Sequence, residues 1–119
     1  MSDRLLQELS DEMERLAKEY AKLKNRPKPF ETEDEKGARD IQIEYDKQDK
    51  RREFDSFDFE KKRTYVLKLK KEVEFLRLTE RRDELEQKLK DRAKDNPITE
   101  IELLELQALN NILFREKHE

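Results

Sequence analysis

Apolar residues near the start of the chain repeat at heptad spacing. Steps of three and four residues alternate between residues 6 and 23, and two prolines follow at 27 and 29. The stripe consists of Leu6, Leu9, Met13, Leu16, Tyr20 and Leu23. Positions three and four apart share one face of a helix, so the spacing predicts a heptad helix over residues 1–24. It is either a coiled-coil strand or an ordinary bundle helix with a narrow core stripe.

Residues 25–55 are polar and contain no leucine. They include the only glycine of the chain, Gly37. A weak helical stripe is available in Ala38, Ile41 and Tyr45, and few other apolar side chains accompany it. So little apolar surface predicts either a polar, mobile linker or a marginal helix.

The stretch FDSFDF at residues 54–59 places three phenylalanines among acidic residues and a serine. Asp and Ser are favoured helix N-caps, so we interpret the stretch as a helix start capped by Asp55 or Ser56. The rings would then pack beneath that helix. The alternative is a docking peptide that binds in a groove of a partner.

The longest helical pattern extends from residue 57 to residue 95, and its apolar stripe changes face. One line contains Val66, Leu69, Val73 and Leu76, and a second line, about 150° away, contains Leu67, Leu78, Leu85 and Leu89. Either the helix contacts different neighbours at its two ends, or it breaks near Thr79. A single two-stranded coiled coil does not fit, because it requires one continuous seam.

The last predicted helix has the clearest start signal of the chain. Thr99 and Glu102 match the capping box, in which each side chain bonds a backbone N–H of the other residue. The helix is apolar over a wide arc that includes Ile101, Leu103, Leu104, Leu106, Ala108, Leu109, Ile112 and Leu113. It is therefore either a central helix that the others surround, or a surface for self-association or a partner.

Composition supports a helical fold with a thin core. Charged residues make up 50% of the chain and hydrophobic residues 33%, with one glycine and sixteen leucines. Sheets need more turn residues and β-branched residues than this. We predict an all-α fold, an extended helical hairpin or small helical bundle with coiled-coil character. In it, residues 56–119 form a long helix plus a capped C-terminal helix, and they make one structural unit with residues 1–24.

The run KKRTYVLKLKK at residues 61–71 has six positive charges and no negative one. On a helix these charges spread around the axis, whereas a groove-binding helix gathers them on one face. The run therefore favours a solvated helix. The alternative is a nucleic-acid-binding accessory protein, with contacts from Arg51, Arg52, Lys61, Lys62, Arg63, Lys68, Lys70 and Lys71.

Groups for covalent chemistry are scarce. The chain has no cysteine and a single histidine, His118, next to the last residue. One glycine cannot build a phosphate-binding loop, and most carboxylates have Lys or Arg at the spacing of solvated helix pairs. We therefore expect no enzyme, no cofactor and no metal. With no long apolar run and no signal-peptide core at the first residues, we expect a cytoplasmic protein without a membrane partner.

These observations predict a non-enzymatic helical interaction protein. It would act as an adaptor, assembly factor or inhibitor, forming a homo-oligomer, most simply a dimer, and packing helices against another protein. The interface residues we expect are Leu9, Leu16, Ile101, Leu109 and Ile112.

Overall fold

The computed structural model describes residues 3–91 and 97–118, and all the regular structure in these ranges is helical. The described helices are α1 (Asp3–Lys24), α2 (Glu33–Asp55), α3 (Phe59–Lys90) and α4 (Glu100–His118). The predicted all-α class is confirmed, and the helices are consistent with a small bundle. Coiled-coil character stays a prediction. The chain divides into two compact units, Met1–Glu74 and Phe75–Glu119, and α3 contributes to both.

The first unit has a core built from three helices. Its buried residues are Met13, Leu16 and Ala17 of α1, Phe54 of α2, and Val66, Leu69 and Val73 of α3. Leu9, Tyr20 and Leu23 are partly buried against this cluster. Five of the six residues of the α1 heptad stripe thus belong to this core or pack against it, whereas Leu6 is 41% exposed.

Residues 33–55 form a helix of 23 residues. Of the two predicted alternatives, a mobile linker and a marginal helix, the structure contains the helix. Thr32 is its N-cap, and the Thr32 hydroxyl accepts the backbone N–H of Glu35 at 3.1 Å. The weak stripe does not face the core, because Ile41 is 73% exposed and Tyr45 is also exposed. Phe54, at the other end of the helix, supplies the buried apolar anchor of α2.

Polar contacts hold α2 against α1 along the rest of its length. Arg51 Nη1 donates to Ser10 Oγ and Glu14 Oε1, both at 3.0 Å. Asn25 Nδ2 donates to Asp46 Oδ2 at 2.7 Å, and the Lys50 ammonium lies 4.4 Å from the centre of the Tyr20 ring. Two buried alanines on α1, at 17 and 21, add little bulk to its buried surface. Since exposed ion pairs contribute little energy each, these contacts mainly set the register of the helix pair.

The predicted helix start at Asp55 or Ser56 is wrong, because these residues end α2. Asp55 is still helical and Ser56 is the C-cap of α2, with its hydroxyl donating to the Glu53 carbonyl at 2.6 Å. Asp58 takes the capping role instead, because its carboxylate accepts the Lys61 N–H at 2.9 Å and α3 begins at Phe59. The buried Phe54 ring supports packing beneath the helix over a docking peptide.

Helix α3 is continuous from Phe59 to Lys90 and does not break near Thr79. Val66, Leu69 and Val73 of its first apolar line belong to the core of the first unit. Of its second line, Leu67 is 61% exposed, and Leu78, Leu85 and Leu89 pack with Leu106 and Leu109 of α4 in the second unit. The helix therefore contacts different neighbours at its two ends, which was one of the two predicted explanations. The predicted extension over residues 92–95 lies outside the described residues.

The second unit consists of the end of α3 and of α4. The predicted capping box is present in both directions: the Thr99 N–H donates to Glu102 Oε1, and the Glu102 N–H donates to Thr99 Oγ1, each at 3.2 Å. Leu106, Leu109 and Leu113 are the buried residues of α4. The cap starts the helix, and this line of leucines determines which face of it is buried.

Candidate interaction surface

The wide apolar arc of α4 separates into a buried line and an exposed line. The exposed residues lie at steps of three, four and four, and they share one face roughly 130° from the buried leucines. We call Ile101, Leu104, Ala108 and Ile112 the α4 stripe. Ile101 is 78% exposed, Leu104 65% and Ile112 43%, and Ala108 is exposed as well. The stripe therefore presents contiguous apolar surface along most of the helix.

Two ion pairs to α3 fix the rotation of α4 about its axis. Lys88 Nζ donates to both carboxylate oxygens of Glu102, at 2.8 and 2.9 Å. Arg81 binds Glu105 in bidentate fashion, at 2.8 and 3.1 Å. Together with the buried leucines, these pairs direct the α4 stripe away from α3.

The charge state of these pairs follows from their hydrogen bonds. The bond from Lys88, then the Thr99 N–H, lowers the pKa of Glu102 below its ordinary value. The bond from Arg81 likewise lowers the pKa of Glu105, and Glu105 in return raises the pKa of Arg81. Both carboxylates therefore stay ionised, and both pairs stay intact, at neutral pH.

The α4 stripe ends in charges of opposite sign. Glu100 lies at its N-terminal end and Arg115 at its C-terminal end, and both side chains are exposed. Neither makes an ion pair with any other residue that the structure describes. The two charges are therefore available to a molecule that covers the stripe.

The five predicted interface residues fall into two groups. Ile101 and Ile112 belong to the α4 stripe. Leu16 and Leu109 are buried in the two cores, and Leu9 is half-buried beside the first. We therefore place these three in intramolecular packing, because they face α3 in the fold. The five-residue set leaves out Leu104 and Ala108, although the apolar arc predicted for the last helix includes both.

The candidate nucleic-acid residues are not gathered on one surface in the part of the chain that the structure describes. Arg51 pairs with Glu14 and Asp55, and Arg52 pairs with Asp49. The Lys62 ammonium bonds the Phe57 carbonyl and lies 5.1 Å from the centre of the Phe54 ring. These cations are engaged within the first unit.

The other cations of the basic run are exposed but face different neighbours. Arg63 lines a groove with Leu5 and Leu9 of α1, whereas Lys68 lies beside Lys50 and Glu53 of α2. The remaining exposed members are Lys61, Lys70 and Lys71. The basic run therefore surrounds α3, as its helical spacing predicts.

A second polar feature lies where α1 passes to α2. Arg39 forms a bidentate pair with Glu31, at 2.9 Å for the closest contact, and the Lys28 N–H also bonds Glu31 at 3.1 Å. These contacts, Arg39 first, lower the pKa of Glu31. They border a surface cavity of about 380 Å³. Phe30 in this loop is fully exposed and has a positive φ of 61°.

The hydroxyl of Tyr65 has a raised pKa in the first unit. Burial first, and then its bond to Glu53 at 2.7 Å, raise the pKa of its hydroxyl. The phenol therefore remains a protonated donor at physiological pH. Its ring contacts Phe54 and Phe57, so it ties the turn after α2 to α3.

Neither a metal cluster nor a membrane span is found within residues 3–91 and 97–118. No group of three or more His, Cys, Asp or Glu side chains there is placed to hold a metal ion. No helix in these ranges is both long and apolar enough to cross a membrane. Every buried side-chain nitrogen or oxygen described has a hydrogen-bond partner.

Comparison of the chain with protein-family models, with curated proteins and with solved structures found no match. A functional proposal therefore depends on the geometry of the protein's own surfaces.

Proposed function

We propose that this chain is a non-enzymatic helical interaction protein of the cytoplasm, acting as an adaptor, assembly factor or inhibitor. It self-associates, most simply as a dimer, and packs α4 against a helix of another protein. The observation that carries this proposal is the exposed α4 stripe, with Ile101 at 78% and Leu104 at 65% exposure.

The α4 stripe leaves apolar side chains in contact with water, and covering them favours association. Burying a Leu or Ile side chain completely contributes about 1.5–3 kcal/mol, so covering the stripe gives several kcal/mol towards association. Anchors at steps of three and four residues are the pattern by which one helix packs into a groove of another chain. Because only 33% of the chain is hydrophobic, an external contact would also add to a thin core.

The capping box and the ion pairs support the same proposal. They start α4 at a defined residue and hold its rotation, so the stripe is presented without further ordering. A surface that is already ordered loses less entropy on binding than a mobile one. Presentation of a fixed helical face is what an interaction protein requires.

The test is a charge placed on the stripe. In the Ile101→Asp/Leu104→Asp variant, proteins retained by the tagged wild-type chain from a lysate of its native host should be lost, whether copies of the chain or other proteins. The matched control is Ile41→Asp, because Ile41 is similarly exposed on α2, at 73%. The control should retain the wild-type set. Identical sets from all three chains, identified by mass spectrometry, would contradict the proposal.

A further inference from the structure

The α4 stripe has a polarity along its length that limits how it can be covered. Glu100 and Arg115 are separated by 15 residues, about 22 Å of helix. On a helical wheel of 100° per residue, both lie on the same side of the stripe's centre line, Arg115 about 25° from it and Glu100 about 85° from it. The stripe thus carries a negative group at one end and a positive group at the other, on one flank.

This arrangement is complementary to itself when two copies run antiparallel. With Ala108 placed at a twofold axis, Leu104 lies opposite Ile112 of the partner subunit. Arg115 then lies opposite Ile101 of the partner subunit, one residue from its Glu100. The twofold axis is perpendicular to both helices, so it places the same flank of each copy on the same side of the pair. Arg115 of each copy therefore meets the partner's Glu100 on that side, and the contact occurs twice per dimer.

Side-chain size agrees with the same register. Ala108 is the smallest member of the stripe, and it would occupy the point of closest approach. Small residues at a crossing allow two helices to pack closely, whereas the larger Leu104 and Ile112 fill the space on each side. The contact would bury all four stripe residues of both copies.

A parallel pair has the opposite electrostatics. When two parallel copies are aligned residue for residue, Arg115 lies beside Arg115 of the partner subunit, and no Glu100 lies near either of them. Like charges at that spacing oppose association, and they disfavour the wrong pairing in helical dimers. The charge pattern therefore distinguishes the two orientations.

We propose that the α4 stripe is covered by the same stripe of a second copy, antiparallel and centred on Ala108. Reciprocal pairs between Arg115 and the partner's Glu100 close the two ends. The inference rests on the proposed function and specifies the partner and geometry of its self-association.

Disulfide trapping in the full chain tests the orientation, because the natural sequence contains no cysteine. An equimolar mixture of the Leu104→Cys and Ile112→Cys chains, oxidised mildly, should give the mixed disulfide dimer as the main product. Leu104→Cys alone should give little dimer. A Leu104→Cys homodimer as the main product would overturn the antiparallel register, while leaving an α4 contact in place.

Charge exchange tests the end contacts. Glu100→Arg and Arg115→Glu should each weaken the dimer, measured by sedimentation, on the order of fivefold, since each removes two exposed pairs. The double variant should recover most of the affinity. No recovery would overturn the pairing, because the two positions are too far apart to interact within one helix.

The mass of the purified chain separates this inference from the proposed function. Light scattering at micromolar concentration should give twice the monomer mass. A strict monomer overturns the second-copy inference. If other host proteins are still retained in a stripe-dependent manner, the packing of α4 in the proposed function stands and only its self-association fails; if none are retained, both proposals fail.

Discussion

Phe54 connects α2 to the core of the first unit and is 1% exposed. The Lys62 ammonium lies 5.1 Å and the Arg51 guanidinium 5.9 Å from the centre of its ring. The ring thus packs against apolar side chains while cations line its outer part. In a helix whose other inward contacts are mostly polar, one aromatic side chain supplies much of the buried area.

Truncation of this ring should therefore be costly. Phe54→Ala should lower the free energy of unfolding by about 3–5 kcal/mol, because it removes buried area and leaves a cavity. Urea unfolding followed by circular dichroism would measure the change. The matched control is Phe30→Ala, which removes a fully exposed ring and should change the free energy of unfolding by less than about 0.5 kcal/mol. Equal losses would contradict the placement of Phe54.

The pair between Lys88 and Glu102 predicts a pH dependence. The folded pKa of Glu102 is lowered from 4.5, so the unfolded chain binds its proton more readily. The stabilisation is present above the ordinary pKa and is lost as the pH falls through the lowered folded pKa. Glu102→Gln should reduce the fall of the unfolding free energy at acidic pH. The amide oxygen of Gln can still accept the Thr99 N–H of the capping box.

The matched comparison for Glu102→Gln is Lys88→Gln, which removes the other partner. Both variants should flatten the dependence of unfolding free energy on pH below about 4.5, and the double variant should add little. If the effect of the double variant in thermal or urea unfolding equals the sum of the two single effects, the result would count against a shared ion pair.

At the scale of the element, capping decides where α2 and α4 begin. Both start with Thr followed three residues later by Glu, at Thr32–Glu35 and Thr99–Glu102. The first of these signals lies in the polar segment, where the lack of apolar residues favoured a linker. The segment is helical because a cap and many local polar pairs add to the single buried ring.

Removal of a cap should have a measurable cost. Thr99→Ala should destabilise the second unit by about 1 kcal/mol, since the Glu102 N–H loses its acceptor. Thr79→Ala is the matched control, because Thr79 lies inside α3 and its hydroxyl bonds the Phe75 carbonyl. That change should be neutral or slightly stabilising, as Ala is the better helix former. Thermal unfolding of both variants would show the difference.

At the scale of the whole molecule, charge is dispersed rather than concentrated. The net charge is -3, and the basic run surrounds α3. We expect no binding of mixed-sequence RNA or DNA at physiological salt, measured by fluorescence anisotropy. Binding that falls steeply with salt would contradict this, since it reports phosphate contacts. Loss of that binding in Lys68→Glu/Lys71→Glu, but not in Glu100→Arg, would locate the contacts on α3.

Helices α1, α3 and α4 and the capping box of α4 were predictable because their causes are local, whereas residues 25–55 were left open between a linker and a marginal helix. Heptad spacing, prolines and T-x-x-E signals act over a few residues. The start of α3 was misplaced by two residues because Asp55, Ser56 and Asp58 are all good caps. Only the turn geometry chooses among them. The interface residues were harder, because Leu109 and Ile112 look alike along the sequence, and only Leu109 meets Leu85.

Local signals in the sequence are enough to predict that this chain is helical, that its core is thin and where α4 begins. Propensity, spacing and capping depend on residues within one turn of each other, so no distant contact is needed to infer them. Which apolar lines are covered depends on the packing of the helices. The fold buries Met13 and Leu16 of the α1 heptad stripe and leaves the α4 stripe exposed. Burial depends on which helices meet, and such contacts join residues far apart in the chain.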